Sequence, residues 1–309
     1  MKKSLLYLIC LLVFGACQSG RQVYLFTSFH EPAQEGLRLL YSQDGYRWHD
    51  LDHVFLKPEA GPSKLMRDPS MVQGPDGTYH LVWTTGWRGD QGFGYASSKD
   101  LIHWSPQQFI PVMQHEPSTV NVWAPELFYD AADKRFVIIW ASTIPGRFPR
   151  GIEDENNNHR MYYTTTQDFK TFSRAQLFLD PGFSVIDAVI VRQQPGKYAL
   201  VLKDNTRPNR NLKMAYGPSA LGPFTGVTAP FTGNFIEGPT VVKIKKDWLI
   251  YFDVYEKKIY GAMKTRDFRN FTDITNQVQV PAGHKHGTIV KASRQTLKKL
   301  QQEAAAKRP

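Results

Sequence analysis

Short apolar runs rich in β-branched and aromatic residues recur along the chain, and turn-forming residues separate them. Pro75-Asp76-Gly77 and Pro195-Gly196 mark turns directly before two of these runs. The clearest runs are 78–85, 136–142, 197–202 and 248–253. Helical periodicity is present only at 293–306. The pattern predicts an all-β chain that ends in a short helix or tail at 293–309.

A degenerate repeat groups these predicted strands. In each clear copy, a Ser or Thr is followed two positions later by Asp and six positions later by an aromatic residue. The clear copies begin at Ser42, Ser98, Thr166 and Thr265, and a weaker copy at 217–219 precedes Phe224. Five copies spaced by about 50 to 70 residues indicate five equivalent units. Five four-stranded units without intervening helices predict a five-bladed β-propeller over 23–292.

The innermost strand of each blade is predicted from a segment that begins with polar residues, here called the head of the strand, and continues with apolar residues. The five segments with this pattern are 67–72, 124–128, 186–191, 237–242 and 286–290. The first predicted strands of the chain, 23–29 and 37–41, lack an inner partner of their own. We therefore expect the C-terminal segment 286–290 to pair with 23–29, which closes the ring and removes the free sheet edges.

The N-terminus has the pattern of a bacterial lipoprotein signal. A basic start precedes an apolar run at 5–14, and Gly15-Ala16-Cys17 follows. The run is too short for a stable membrane span. We expect a signal peptide at 1–16 and a tether at 17–22 that begins with lipidated Cys17. The pattern thus predicts export and anchoring to a bacterial, most simply outer, membrane, on its periplasmic or cell-surface side.

The charge distribution and the cysteine content indicate which binding partners and which means of stabilisation to expect. The formal net charge is +10, but the basic residues are scattered, and no arginine-rich stripe indicates a nucleic-acid partner. The only other cysteine, Cys10, lies in the predicted signal, so the mature chain must rely on core packing rather than on disulfides. We expect a monomer that meets a glycan substrate and touches a membrane through lipid alone.

Ionisable residues stand at or next to the start of four of the five predicted inner strands. They are Asp68, Asp187, Glu237 and His286, and Glu126 lies further along the remaining inner strand. Propeller symmetry would bring these side chains into one small volume, where like charges repel each other and destabilise the fold. Chemistry or a bound cation usually explains such a set. Glycoside hydrolysis is one such chemistry, because it needs one carboxyl group to protonate the leaving oxygen and another to activate water or attack carbon.

Five motifs, in this order, resemble glycoside hydrolase family 43 over about residues 22–292. They are Arg67-Asp68-Pro69 followed by Asp76-Gly77-Thr78-Tyr79, Trp123-Ala124-Pro125-Glu126, Ile186-Asp187, Glu237-Gly238-Pro239 and His286-Gly287-Thr288. The resemblance implies an inverting five-bladed glycosidase with Asp68 as general base and Glu237 as general acid. Asp187 would tune the pKa of the acid and orient it. This chain departs from many members in having Ala188, rather than proline, after Asp187.

The resemblance implies no cofactor for catalysis, but it associates His286 with a structural calcium ion, or its waters, at the propeller centre. A hydrogen-bonded core histidine is the alternative. Propeller topology places the loops that enter the inner strands, and those that join second to third strands, on the active face. These loops contain candidate substrate contacts at Phe29, His30, Trp87, Trp123, Lys203, Asp204 and Arg207. The long insert at 144–159 would help to close a pocket, and its acidic run at 153–156 is interpreted as a solvated loop.

The sequence leaves the substrate open. The resemblance implies activity on plant-type glycans, since members of that family favour α-L-arabinofuranosides and β-D-xylosides. The chain has no appended β-sandwich, unlike many of the xylosidases, which favours an α-L-arabinofuranosidase, and the long insert at 144–159 favours exo action. A β-xylosidase, a galactosidase, or an endo-acting arabinanase or xylanase of the same family remain alternatives. The related fructan-cleaving hydrolases are disfavoured because the chain lacks their Asn-Asp-Pro-Asn-Gly motif. A non-catalytic glycan-binding lipoprotein is the alternative of another class, and the presence of all three carboxylates disfavours it.

Overall fold

The computed structural model describes residues 22–149, 153 and 156–307. The predicted signal peptide and the lipidation site Cys17 lie outside these residues and stay predictions. Within the described part of the chain, no helix is both long and apolar enough to span a membrane.

Nineteen strands of the described chain form five antiparallel sheets, and each sheet is one propeller blade. Blade 1 contains β19 (Ile289–Ala292), β1 (Val23–Ser28), β2 (Leu37–Ser42) and β3 (His49–Leu56). Blade 2 contains β4 (Arg67–Gln73), β5 (Tyr79–Thr84), β6 (Phe93–Ser98) and β7 (Gln108–Ile110). Blade 3 contains β8 (Trp123–Asp130), β9 (Arg135–Ser142), β10 (Arg160–Thr166) and β11 (Gln176–Leu179).

Blade 4 contains β12 (Val185–Gln194), β13 (Lys197–Asp204) and β14 (Asn211–Gly217). Blade 5 contains β15 (Glu237–Ile244), β16 (Asp247–Val254), β17 (Ile259–Thr265) and β18 (Thr272–Asp273). The first strand of each blade contacts the first strand of the next, from β4 through β8, β12 and β15 to β19 and back to β4. The five-bladed propeller predicted from the repeat is confirmed.

Blade 4 departs from the predicted four strands. The chain after β14 runs beside it without forming a regular strand, and only scattered backbone bonds join the two, such as Tyr216 N–H to Thr225 O and Thr228 N–H to Met214 O. Pro223 and Pro230 lie in this stretch and have no backbone N–H to donate, which disfavours a continuous ladder. This is also where the sequence repeat is weakest.

The repeat itself is a turn between the third and fourth strands of a blade. In its first copy, the Ser42 hydroxyl accepts hydrogen bonds from the backbone N–H groups of Asp44 and Gly45. The Asp44 carboxylate then accepts from the N–H groups of Tyr46 and Arg47. The copies at Ser98, Thr166 and Thr265 repeat this pattern. Side chains that satisfy backbone donors in a tight turn explain why the motif recurs in sequence.

Apolar side chains pack into five clusters, each lying between two neighbouring blades. Helix α1 (Arg294–Ala306) begins after Ser293, whose hydroxyl accepts from Thr296 N–H at 3.0 Å and caps the first turn. The buried Leu297 and Leu300 of α1 join the cluster between blades 1 and 2. The helix therefore packs beside the point where the ring closes.

The C-terminal strand closes the ring as predicted, in an antiparallel register that pairs Val23 with Ala292 and Phe26 with Ile289. The regular strand begins at Ile289 rather than at residue 286, because Gly287 lies directly against Thr27. A Cβ atom at Gly287 would stand 1.8 Å from the carbonyl oxygen of Thr27. The Thr27 hydroxyl accepts from Thr288 N–H at 2.8 Å and donates to Pro69 O at 2.5 Å, so it also links blades 1 and 2.

We expect Gly287→Ala to destabilise the closure of the ring, because the added methyl group must displace backbone rather than a flexible side chain. Overpacking of this kind costs about 1–3 kcal/mol of unfolding free energy or more. Gly233→Ala is the matched control, because a Cβ there has no neighbour within 4 Å and neither glycine has a positive φ. Thermal unfolding should show a clear loss for Gly287→Ala and a change within about 0.5 kcal/mol for the control. Equal midpoints for the two variants would contradict this account of closure.

Candidate active site

The heads of four inner strands share one backbone distortion. Each strand shifts its pairing register near its start, and the residue at the shift has φ near +50°: Asp68 at 50°, Ala124 at 47°, Asp187 at 50° and Gly238 at 57°. Positive φ is uncommon for residues other than glycine, and such bulges often re-aim side chains beside active sites. Asp68 and Asp187 thus occupy equivalent positions, whereas Glu237 lies one residue before the equivalent Gly238.

A cavity opens over these strand heads, and residues from all five blades line it. Its floor includes Asp68, Asp187, Glu237 and His286. Its walls come from the loops between second and third strands, from the ends of second strands, and from the starts of the inner strands or the segment that leads into them. The wall residues include Phe29, Glu31, Arg67, Trp87, Trp123, Glu153, Asn157, Lys203, Asn205, Arg210, Asp253 and Lys285. The three carboxylates and the histidine predicted from sequence therefore face one space.

Asp68 is held between two partners. Thr84 donates its hydroxyl to Asp68 Oδ2 at 2.9 Å, and His286 Nδ1 lies 3.3 Å from Asp68 Oδ1. Burial alone would raise the pKa of Asp68, but the bond to His286 and the charges of His286 and Arg67 hold that pKa below its ordinary value. Asp68 is therefore ionised at neutral pH, as a general base must be.

His286 is a cation at the centre of the site. Burial by itself lowers the pKa of an imidazole, but Asp68, Asp187 and Glu126 together raise the pKa of His286 to about 9. The ring packs against Gly238, where a Cβ atom would stand 2.7 Å from His286 Cγ. A side chain at position 238 would therefore displace the imidazolium that balances the surrounding carboxylates.

Asp187 is the most deeply placed of the three predicted catalytic carboxylates, with 8% of its surface exposed. Its Oδ2 accepts a hydrogen bond from Gly238 N–H at 3.1 Å, across the boundary between blades 4 and 5. Burial raises the pKa of Asp187, and the negative Glu237 and Asp68 add to that rise against the opposing charges of His286 and Lys203. Asp187 therefore holds a proton more readily than an exposed aspartate.

Glu237 is paired with a buried lysine. Lys203 has 2% of its side chain exposed, and its Nζ donates to Glu237 Oε2 at 3.1 Å. Burial alone would raise the pKa of Glu237, but the charge and hydrogen bond of Lys203, with the charge of His286, bring it below its ordinary value. The neighbouring carboxylate that raises the pKa of Glu237 is Asp68, and Lys203 opposes it. The tuning of Glu237 by Asp187 stays a prediction. Lys203, predicted as a substrate contact, reaches the cavity as the partner of a carboxylate.

Glu126 lies further along its strand and does not line the cavity. The Thr288 hydroxyl donates to its Oε2 at 3.3 Å. Burial raises the pKa of Glu126 to about 7, against the lowering effects of Ser70, His286 and Thr288. This carboxyl group therefore changes charge near neutral pH, close enough to His286 for their charges to interact.

Aromatic rings form one wall of the cavity. Trp87 and Trp123 lie with ring centroids 4.3 Å apart, and the indole N–H of Trp123 donates to the Trp87 carbonyl at 2.7 Å. The Arg67 guanidinium lies 5.1 Å from the Phe29 ring centroid and 5.2 Å from that of Trp87. Trp87 is 45% exposed, unusually high for so large an apolar side chain. Such a face is suited to stacking against a sugar ring.

The interpretation of the acidic run at 153–156 as a solvated loop is wrong for Glu153. Its side chain is 2% exposed and lines the cavity. His159 Nδ1 lies 2.9 Å from Glu153 Oε1, Asn205 donates to the same oxygen at 2.6 Å, and the Ser184 hydroxyl donates to Oε2. Three partners from separate parts of the chain hold this carboxylate in the wall, where burial would otherwise make it costly.

Three predicted substrate contacts lie outside the cavity lining. Asp204 is turned away, because its carboxylate pairs with Lys213 Nζ at 2.7 Å and accepts from Thr206. Arg207 is exposed beyond the rim. His30 packs against His284, with ring centroids 4.5 Å apart. Lining residues that were not predicted include Asp253 and Lys285, whose Oδ2 and Nζ are 2.7 Å apart. Asp253 lies at the end of β16 and Lys285 directly precedes His286, and these positions next to predicted strand ends and site residues are the signal that could have identified them.

The association of His286 with a structural calcium ion or its waters stays a prediction, and direct coordination by His286 is disfavoured. Among the described residues, the donor atoms of His286 and the neighbouring carboxylates do not converge as a ligand set; the three-residue group that does, His30 with Asp50 and His284, lies elsewhere. The raised pKa of His286 also makes it a cation at neutral pH, which repels a metal ion. No step of the chemistry is therefore assigned to a metal here.

A five-bladed propeller with three carboxylates in a cavity on its axis is typical of glycoside hydrolases that use a pair of carboxyl groups for catalysis. The sequence profile of a probable glycosyl hydrolase domain related to family 43 matches residues 21–298. The chain belongs to this family and is a glycosidase. No curated protein shows significant sequence similarity to it.

Solved structures show the same fold at low sequence identity. An α-L-arabinofuranosidase from Clostridium thermocellum is 15% identical with a TM-score of 0.55, over 86% of this chain and 92% of that one. A family 43 β-1,3-galactosidase with galactodeoxynojirimycin is 13% identical with a TM-score of 0.52, over 68% and 76%. A microbial sialidase is 12% identical with a TM-score of 0.55, over 85% and 72%. These similarities establish the propeller and leave the sugar unassigned.

The Lys203–Glu237 pair generates a pH prediction. If Glu237 is the general acid, activity requires its protonated form, and kcat/KM falls as pH rises through its pKa. Lys203 lowers that pKa. Lys203→Gln removes the positive charge but keeps a hydrogen-bond donor, so the alkaline limb of the kcat/KM profile should move to higher pH.

Lys285→Gln is the control for this shift. It removes another lysine that lines the cavity, but one that pairs with Asp253 rather than with Glu237. The alkaline limb should stay near its wild-type position in that variant. A limb that does not move in Lys203→Gln, or moves to lower pH, would show that Glu237 is not the group whose protonation limits activity.

Proposed function

We propose that this glycosidase is an exo-acting, inverting α-L-arabinofuranosidase that removes terminal sugars from plant-type glycans. The observation that carries exo action is that all five blades contribute walls to one cavity directly above Asp68, Asp187 and Glu237. Walls contributed by every blade favour a pocket that accepts a chain end, whereas an endo-acting enzyme needs a cleft open at both sides. The Trp87–Trp123 pair and the buried Glu153 form parts of this enclosure.

The choice of arabinofuranose is supported by the family resemblance and by the likeness in fold to the C. thermocellum α-L-arabinofuranosidase. A galactosidase is the second candidate, because a β-1,3-galactosidase shares the fold over a similar part of the chain. The aromatic face of Trp87 and the paired charges of the walls suit either neutral sugar, since rings stack on indole and hydroxyl groups bond to carboxylates and amides.

In the proposed mechanism, Asp68 accepts a proton from a water molecule that attacks the anomeric carbon. Glu237 donates a proton to the leaving oxygen, on the opposite side of the sugar. Asp68 is prepared for this role, because its pKa lies below the ordinary value and His286 and Thr84 fix its two oxygens. Glu237 must gain its proton in competition with Lys203, which favours activity at acidic pH. Asp187, whose own pKa burial raises, is proposed to orient Glu237 and, in its ionised form, to favour the protonated form of Glu237.

Substrate and stereochemistry can be tested together. Purified protein should be assayed on 4-nitrophenyl α-L-arabinofuranoside, β-D-xyloside and β-D-galactoside, and on arabinan and arabinoxylan with analysis of products. We expect the arabinofuranoside to have the highest kcat/KM and monosaccharide to be the first product. Proton NMR during turnover should show the inverted anomer first. Retention, or longer oligosaccharides as early products, would contradict inversion or exo action respectively.

The roles of the two proton-transfer carboxylates are separated by leaving-group chemistry. Asp68→Asn and Glu237→Gln should each lower turnover of natural linkages by roughly 10² to 10⁴, because each removes one proton-transfer partner. On a 2,4-dinitrophenyl glycoside, whose leaving group needs no protonation, Glu237→Gln should be partly spared. Asp68→Asn should remain inactive there, because water must still be activated.

Glu256→Gln is the matched control for this pair, since Glu256 is exposed and lies outside the cavity. It should behave as wild type on every substrate. If Asp68→Asn is the variant spared on the activated substrate, the assignments of acid and base are reversed. Unfolding curves of all three variants exclude loss of fold as the cause of lost activity.

A further inference from the structure

Outside the catalytic cavity, two histidines and an aspartate meet beside the point of ring closure. His30 lies in the loop after β1, Asp50 lies on β3, and His284 lies in the segment that leads to β19. One potential ligand atom from each residue lies within 4.8 Å of the other two. Imidazole nitrogen and carboxylate oxygen are ligands that divalent transition metals accept together.

His284 is already held in the orientation of a ligand. Its side chain is 1% exposed, with Nδ1 2.7 Å from the Ser28 hydroxyl and Nε2 3.0 Å from Asp50 Oδ2. Metal-bound histidines usually have the second ring nitrogen fixed by a neighbouring polar group, as Ser28 does here. The other oxygen of Asp50 accepts from Asp52 N–H at 2.8 Å, which fixes the carboxylate as well.

His30 supplies an unsatisfied nitrogen. Its Nε2 is buried and has no hydrogen-bond partner, although the ring as a whole is 27% exposed. Its Nδ1 lies 3.9 Å from Glu35 Oε2, a second carboxylate beside the cluster. A buried nitrogen without a partner costs stability unless something else binds it. In this setting a metal ion would satisfy the lone pair.

The surrounding charges favour a cation. Arg38, a positive group beside the cluster, donates two bonds to Glu35 Oε2 at 3.1 and 2.8 Å and stands 4.0 Å from Asp50 Oδ2. Asp50 and Glu35 bring two carboxylates to the cluster against this one guanidinium.

We propose that His30, Asp50 and His284 form a site for a divalent transition metal of the Zn²⁺ type, with water as the fourth ligand. Tetrahedral zinc at its usual bond lengths would hold ligand atoms on the order of 3.4 Å apart, so the widest pair must close by at most about 1.4 Å. His30, at 27% exposure, is the most exposed of the three side chains and can make this movement. The site adjoins the cavity without being part of it, because His30 follows Phe29 and His284 precedes Lys285.

The proposed metal would affect the structure of the neighbouring cavity. The metal would fasten the loop after β1 to the segment that enters β19, and these two segments carry Phe29, Lys285 and His286 into the cavity. Without metal, the described contacts between the segments at this point are the His30–His284 ring contact and the bonds Lys285 N–H to Phe29 O and Ser28 to His284. The metal therefore acts on the positions of site residues rather than on the reaction itself.

The test is metal binding to tag-free, chelator-treated protein, which does not depend on any glycosidase assay. Isothermal titration with Zn²⁺ should show one site of micromolar or tighter affinity, and Mg²⁺ and Ca²⁺ should not compete. Co²⁺ should give the visible absorption of a tetrahedral site. Zn²⁺ in excess should raise the thermal unfolding midpoint, because it binds the folded state.

Variants then assign the ligands. His30→Gln and Asp50→Asn should each weaken Zn²⁺ binding at least tenfold and abolish the thermal shift. His49→Gln, an exposed histidine of the same strand as Asp50, is the matched control and should bind as wild type. Two folded variants with unchanged affinity, or wild-type protein that binds no Zn²⁺ at micromolar concentration, would overturn the proposal. Either result would leave the proposed arabinofuranosidase activity untouched, since that is measured separately.

Discussion

The convergence of acidic side chains on one axis is the constraint to which the rest of the site responds. Carboxylates that share a poorly solvated volume repel each other, and each needs a positive or hydrogen-bonding partner to remain ionised. The partner pairs are His286 with Asp68, Lys203 with Glu237 and the Gly238 N–H with Asp187. In every pair the two members come from neighbouring blades. The charge balance that prepares the catalytic groups therefore also holds the blades against one another.

The same convergence determines the backbone of the inner strands. A regular strand points alternate side chains to opposite faces, so it cannot aim a carboxylate along the propeller axis. The register shift and positive φ at Asp68 and Asp187 turn these side chains toward the cavity, at a local conformational cost. Glycine removes that cost at position 238, and it also leaves room for the His286 ring. Glu237 therefore enters the site from the preceding position, where it meets Lys203.

Sequence reasoning identified the features that repeat. The turn motif, the polar heads at Asp68, Asp187 and Glu237, and ring closure by the C-terminal strand all follow from patterns that recur once per blade. It could not identify Glu153, because that carboxylate is buried by His159, Ser184 and Asn205, which meet only in three dimensions. The missing fourth strand of blade 4 had a visible signal in the weak repeat copy and its prolines. Pairwise charge partners across blades carry no periodic signal at all.

The distribution of protons in the ligand-free cavity follows from these partners. Lys203 draws Glu237 toward its ionised state, while burial raises the pKa of Asp187 and of Glu126. Asp187 and Glu126 therefore take up a proton more readily than ordinary carboxyl groups, and His286 is protonated, whereas Glu237, the group proposed to donate, is biased toward its ionised form. A general acid of lowered pKa is a strong proton donor but is seldom protonated. The pKa that best balances these two effects lies near the working pH. The buried lysine thus fixes the position of Glu237 at the expense of its protonated fraction, and it does so from a neighbouring blade.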